Sequence, residues 1–396
     1  MINLRWQVTD TYDVIIIGGG IAGVSTAFHL SERGCRVAVL ERKFVAAEAT
    51  GRSSGLVRMH YDLEAESRLA WASFQYFRNW RERVGGECGF TRTGFLHIAS
   101  PAHDDLTRAN VSMHQRIGIP ALLVTAEDVK RLAPDFVTDD FELAAYEPES
   151  GYADPGATAS ALMTAARERG ARLIQDCRVS AIKTAGGKVT GVETNRGELA
   201  APVILNAAGA WAADVGRMAG VELPIETWWH EVAFIRRPPA LQPHPTVIDL
   251  SLAMYFRPET GGLTLIGLED GSQFGESPDN DADYVSPGFV ERAVDRICRR
   301  VPGLIEGSLA SAYRGCDGIT PDQRFILDQA GPDGFYVACG FSGTGFKLGP
   351  AVGACMAELM LDGQAKTVDI SPFALRRFET GDWLKGEHAY EEKLWH

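Results

Sequence analysis

The chain has 396 residues, two to three times the usual domain size of roughly 100–200, so two domains, consecutive or interleaved, are expected and one small module is excluded. Hydrophobic residues at 45% and charged residues at 23% describe a globular protein with a real core and exclude wholesale disorder. A net charge of −13 with no Lys/Arg cluster excludes nucleic acid as an expected partner, and 42 glycines, about 11% against an average near 7%, ask where backbone must come close to something.

Residues 1–12 carry Arg5 and Asp10 and no apolar leader core, and the apolar run at 14–17 passes straight into glycines, so no secretory signal is expected. No stretch nears the roughly 18 apolar residues of a membrane span, and the expected location is cytoplasmic. Residues 13–17 read as a buried strand, 21–33 as a helix closed by Gly34, and 36–40 as a second strand, together a βαβ unit. Residues 62–84 read as one helix with Leu69, Trp71, Phe74, Phe77 and Trp80 on its core face. A strand at 93–99, a helix at 103–117 and a helix from 126 under Thr125 as N-cap follow. A helix at 156–170 leads into strands at 171–176, 178–183, 188–194, 198–200 and 202–206. From 225 to 270 the pattern is mostly period-two strands, with a turn at Thr260–Gly262. A helix at 288–301, a mixed stretch to 330, a strand at 335–339 and an Ala-rich helix at 349–362 complete the chain, without repeats. The seven cysteines are scattered, with no CxxC pair, and are expected to be mostly reduced core residues; no metal constellation rises above chance spacing.

Between the first strand and helix, Gly18, Gly20 and Gly23 satisfy G-x-G-x-x-G, which gives a tight turn, backbone approach to a pyrophosphate and close helix packing, with the helix N-terminus facing the negative charge. Glu41 ends the second strand 18 residues after Gly23, where an acid can accept both adenosine ribose hydroxyls. This pattern points to FAD or NAD. The long strand-rich middle and a second glycine-rich helix start at 340–349 suit one long cofactor gripped at both ends, which favours FAD.

VIIIGGGIAGVSTAFHLSERGCRVAVLER, VILNAAGAWAADV, Thr320–Asp322 and GFSGTGFKLGPAVG together resemble the FAD-dependent D-amino acid oxidase superfamily, over about residues 12–375. Within it, residues 51–58, 94–99 and 255–259 are most similar to the branch of sarcosine oxidase, glycine oxidase and amino-acid dehydrogenase β-subunits. The resemblance implies an α/β fold: a Rossmann-like FAD-binding domain (1–90, 150–224, 321–396) interleaved with a mixed-sheet α+β substrate domain (91–149, 225–320). It implies oxidation of a C–N bond of an amino acid or secondary amine to an imine by hydride transfer to flavin N5, the imine then being hydrolysed, with O2 or another acceptor taking the electrons. By resemblance Gly18, Gly20, Ile21, Ala22, Gly23, Glu41 and Arg42 hold the adenosine diphosphate half, while Arg52, Ser53, Ser54, Gly55 and Leu56 approach the pyrophosphate and flavin. Val179 would bind the adenine side through its backbone, and Ala208, Gly209 and Trp211 would close over the cofactor. Gly315, Gly340 and the loop of Gly343, Thr344, Gly345, Phe346 and Lys347 complete the cofactor set, the loop facing the flavin where negative charge develops on reduction.

Departures from the family pattern bear on substrate. Many members carry a carboxylate-clamping Arg three residues before the Thr of ThrProAsp, where this chain has Asp317, so either Arg58, Arg257 or Lys347 holds a carboxylate or Asp317 meets a cationic group. The flavin-linking Cys of monomeric sarcosine oxidases falls at Gly315, with Cys316 next to it, so FAD is expected to be non-covalent, a Cys316 link being the alternative. Residues 263–268 lack the oxygen-activating Lys of those oxidases, which keeps a dehydrogenase open. Trp228, Trp229, His230 and Tyr255 are candidates for the substrate wall, only one Trp facing it because neighbours on a strand point oppositely. His230 reads either as a general base or as a satisfied core or surface histidine. Two other readings stand beside amine oxidation: a FAD-dependent 2-hydroxy-acid dehydrogenase, and the FAD-bearing subunit of a larger complex with partner chains.

Overall fold

The computed structural model describes residues 11–280 and 284–390; the leader reading of the first ten residues lies outside them. Val14–Ile17 is a four-residue run of β-branched side chains, buried throughout, as a parallel strand covered on both faces requires. It is central in a six-stranded sheet, ordered Ile326–Gln329, Phe335–Cys339, Val203–Asn206, Val14–Ile17, Val37–Leu40, Arg172–Ile174, parallel except for its first member. The helix Ile21–Glu32 crosses from Val14–Ile17 to Val37–Leu40, so the βαβ unit stands as read. Against that helix lies Gly345–Asp362; a Cβ at Gly349 would sit 2.3 Å from Ile21 and one at Gly353 2.2 Å from Ser25, so the two glycines let both glycine-rich helix starts come together.

A nine-stranded mixed sheet forms the second layer, with the strands Gln273–Phe274, Glu226–Arg236, Leu263–Leu268, Met254–Glu259, Thr246–Asp249, Phe95–Ile98, Leu143–Glu147 and Leu122–Thr125 in order. Ser308–Ile319, expected only as part of a mixed stretch, is a twelve-residue strand running along the whole of Glu226–Arg236. Among the remaining helices, Thr125 caps Ala126–Leu132 as expected, in a reciprocal capping box with Asp128, and Asp154 caps Pro155–Glu168 through the Ala157 N–H at 2.8 Å. The helix expected over 62–84 is broken at Asn79 into Glu64–Arg78 and Trp80–Arg83. Leu69, Phe74, Phe77 and Trp80 are buried, and Trp71 only partly. All seven cysteines are free. Among the described residues, no helix is long and apolar enough to cross a membrane.

Candidate active site

Residues of both sheets wall a cavity of about 540 Å3. One end is the turn Gly18, Gly20, Ile21 and Ala22. Gly18 has φ +115°, and a Cβ there would lie 2.3 Å from the Ala207 carbonyl oxygen, so only glycine leaves this backbone bare. Gly23 is not in the wall; a Cβ on it would come 2.1 Å from the Gly18 carbonyl, so its role is to seat the helix on the turn. Glu41 accepts the Gly19 N–H at 2.8 Å and the Lys43 N–H at 2.7 Å, one on each oxygen, which leaves each oxygen a lone pair for a sugar hydroxyl. The first helical N–H, of Ile21, donates to Thr50 Oγ1 at 2.9 Å, a wall residue that the sequence did not reveal. Arg42, Val179, Ala208, Gly209 and Trp211 line the same end, joined by the unforeseen Asp279.

The other end follows from strand periodicity. On Glu226–Arg236 the alternate residues Trp228, His230 and Val232 face the cavity, while Trp229 turns away to stack on the Arg314 guanidinium at 4.1 Å. Across the ladder Trp228 pairs with Asp317 and His230 with Gly315, which puts both on the same wall. Tyr255 reaches the cavity by crossing Gly267, where a Cβ would lie 2.3 Å from the Tyr255 ring, and its hydroxyl meets His230 Nε2 at 2.9 Å. Burial pushes His230 down to about 4, so the imidazole is uncharged near neutrality, and burial also raises the Tyr255 phenol.

Asp317 accepts the Gly318 N–H at 2.8 Å and the Gly343 N–H at 2.9 Å; burial raises its carboxyl against the pull of these donors. Gly343, Thr344, Gly345, Phe346 and Lys347 all line the cavity. Lys347 is buried, with its Nζ 3.5 Å from the Gly343 carbonyl and 5.9 Å from the Tyr61 ring. Burial, and then the like charge of Arg58, hold its ammonium well below the usual lysine value. Arg58, also buried in the wall, stacks on Tyr61 at 4.2 Å and donates to the His60 carbonyl. Arg52, Ser53, Ser54 and Leu56 line the cavity between the two ends. Besides Gly23, three expected residues are elsewhere. Arg257 pairs with Glu259 at 2.9 Å outside the wall, and Gly55 and Gly340 serve packing, where a Cβ would meet the Ala153 carbonyl at 2.3 Å and the Thr320 methyl at 2.6 Å.

Behind Arg58 sits a buried imidazole cluster: His97 stacks on His60 at 4.3 Å, His114 abuts it edge-on at 4.7 Å, and the Tyr390 hydroxyl meets His60 Nε2 at 3.0 Å. Burial lowers all three histidines, His97 to about 3 and His114 to about 4. Beneath Tyr61, Arg324 pairs with Asp62 at 2.6 Å and Glu66 at 2.5 Å, a buried network that fixes the segment carrying Arg58.

A bare glycine turn at a helix start, an acid with free lone pairs at the adjoining strand end, and a cavity continuing to a lysine, an arginine and an aromatic wall fit FAD and define a flavin-dependent oxidoreductase. The chain belongs to the family described as FAD dependent oxidoreductase, which residues 13–359 match. It is 31% identical over 389 residues to mitochondrial sarcosine dehydrogenase of Homo sapiens, covering 93% of this chain but 42% of that protein, so the chain spans less than half of that relative. It is 28% identical over 382 residues to glycine oxidase of Geobacillus kaustophilus (strain HTA426), covering 93% and 98% of the two chains. The structure of L-proline dehydrogenase from P. horikoshii superposes with a TM-score of 0.88 at 27% identity, over 94% of this chain and 99% of that one.

Proposed function

We propose that the protein oxidises the C–N bond of a small amino acid or N-methyl amino acid to an imine, which water then hydrolyses. The observation that carries this reading is one cavity joining the glycine turn and Glu41 to Lys347, Arg58 and the Trp228, His230 and Tyr255 wall. Bound FAD would supply the two-electron acceptor for the hydride leaving the carbon next to nitrogen. The six-stranded layer holds the cofactor and the nine-stranded layer the substrate.

Lys347 and Arg58, two cations whose proximity disfavours Lys347 protonation, take the substrate carboxylate between them; an anion there restores the lysine charge. The aromatic wall accepts the amine in its neutral or cationic form. His230, uncharged above about pH 4, holds the Tyr255 hydroxyl in place and acts as a positioning residue. Asp317 spends both oxygens on the Gly318 and Gly343 N–H groups, fixing the loop ahead of Lys347. The names of the relatives support this substrate class, for sarcosine, glycine and L-proline are all small amino acids.

The test is anaerobic bleaching of the flavin by a panel of N-methyl amino acids, D- and L-amino acids, simple amines and 2-hydroxy acids. Bleaching by amino acids that carry both amine and carboxylate is expected. Bleaching by 2-hydroxy acids alone, or equally by amines lacking a carboxylate, overturns the reading. Recolouring in air identifies an oxidase, and recolouring only with an artificial acceptor a dehydrogenase.

A further inference from the structure

After the Gln273–Phe274 edge strand the chain leaves the nine-stranded sheet and reaches the cavity wall at Asp279. Its departure is anchored: Gln273 pairs with Trp229, and Arg314, stacked at 4.1 Å on both Trp229 and Tyr284, donates to Gln273 Oε1 at 2.9 Å. Its return is anchored as well, through the Ser286 hydroxyl and N–H to the Glu231 carboxylate, the hydroxyl at 2.7 Å. Between these anchors the Pro278 carbonyl accepts the Cys316 thiol at 3.8 Å. Asp279 Oδ1 then accepts Arg42 Nη1 at 2.8 Å and Trp211 Nε1 at 3.1 Å, and the Arg42 guanidinium lies 3.8 Å over the Trp211 ring. Arg42 follows Glu41 at the end of its strand, and Trp211 follows the Ala208–Gly209 turn. Three segments far apart in sequence therefore meet at one carboxylate, and all three residues line the cavity.

We propose that Asp279 is a cofactor-retaining residue: with Arg42 and Trp211 it forms a clasp across the adenosine end of the cavity, and FAD leaves only when the clasp opens. The inference rests on the reading that the adenosine diphosphate half lies along the Gly18–Ala22 turn and Glu41, and not on the identity of the substrate. More than half of the Asp279 side chain is exposed, so the pair adds little to the stability of the fold. Its effect lies in connectivity. Among the described residues, Gln273, Pro278 and Ser286 tie this segment to strands of its own sheet, whereas Asp279 ties it to two elements flanking the glycine turn. The clasp is an ion pair at one partner and, at the other, a hydrogen bond from an uncharged donor, so salt loosens the first more than the second.

The test uses the FAD-loaded protein. On dilution, released FAD is followed by its fluorescence, at low and high salt, for the wild type, Asp279→Ala, Asp279→Asn, Trp211→Phe and the double variant Asp279→Ala/Trp211→Phe. Asp279→Ala is expected to release FAD about tenfold faster than the wild type at low salt. Salt should speed release from the wild type and leave Asp279→Ala nearly unchanged. Asp279→Asn should fall between them, because it keeps an acceptor for the indole N–H. The double variant should release FAD no faster than Asp279→Ala, since both changes break one clasp. Wild-type release from Asp279→Ala overturns the clasp while leaving the cofactor site standing. A wild-type protein that neither holds nor takes up FAD overturns the cofactor placement and the clasp with it.

Discussion

Replacing Lys347 with Met should make the protein more stable and poorer at holding a carboxylate. The residue is 7% exposed, and its ammonium has one long hydrogen bond, 3.5 Å to the Gly343 carbonyl, where an ammonium can donate three. Exchanging an ill-paired buried charge for an apolar side chain of similar length stabilises by about 1–4 kcal/mol. With an unfolding entropy of about 0.8 kcal/mol/K for a chain of this length, Tm rises about 1–5 °C. Because burial lowers the folded-state value of Lys347 below the 10.5 of a free lysine, the unfolded chain binds the proton more readily, and the wild type gains stability as pH rises toward 10.5. The advantage of the Met variant is therefore smaller at pH 9.5 than at pH 7.5, which urea unfolding at both values would measure. A lost charge-assisted contact of about 1.5–3 kcal/mol weakens binding of a short carboxylate about 10- to 150-fold, read from the perturbed flavin spectrum during an acetate titration. A variant that is less stable and binds acetate as before would refute the reasoning, for it would mean that the ammonium is satisfied by the fold and unused by the ligand.

His97 is buried with both ring nitrogens unpartnered among the described residues, and its value falls from 6.5 to about 3, so the folded protein refuses a proton that the unfolded chain accepts below pH 6.5. This one residue should cost about 2 kcal/mol of stability between pH 7 and pH 5, and His97→Phe should lose correspondingly less over that range in thermal melts; parallel curves for the two proteins would contradict it. Gly23→Ala puts a methyl 2.1 Å from the Gly18 carbonyl, so helix and turn must separate, and FAD affinity of the apoprotein should fall at least about tenfold on titration. Unchanged affinity would show that this packing does not shape the cradle.

What could be read in the sequence was local. The glycine turn, the β-branched strand before it, the acid after the next strand and the Thr125 cap each depend on residues a few positions apart, and each stands where it was expected. Ser308–Ile319 escaped because its sequence, rich in small residues and glycine, shows no alternation; its strand character comes from the ladder that Glu226–Arg236 provides. The last long helix begins at Gly345 and not at 349, since its glycines and Pro350 read as loop until they are seen packed on the first helix. Alternation predicted that only one of Trp228 and Trp229 faces the cavity, but not that Gly267 makes room for Tyr255. Thr50 and Asp279 carry no motif, because what they do exists only where distant segments meet.

The six-stranded sheet joins segments far apart in the chain: Val14 pairs with Val203, and Ile204 with Phe335. During synthesis the sheet that the first βαβ unit begins therefore stays incomplete until residues 203–206 and then 335–339 have left the ribosome. Contacts of such long sequence separation slow folding and lengthen exposure to aggregation. Expression at reduced temperature, with chaperones abundant and flavin in supply, is thus the regime that favours recovery of intact protein, whereas a truncation before residue 335 removes the strand on which the partly built sheet closes.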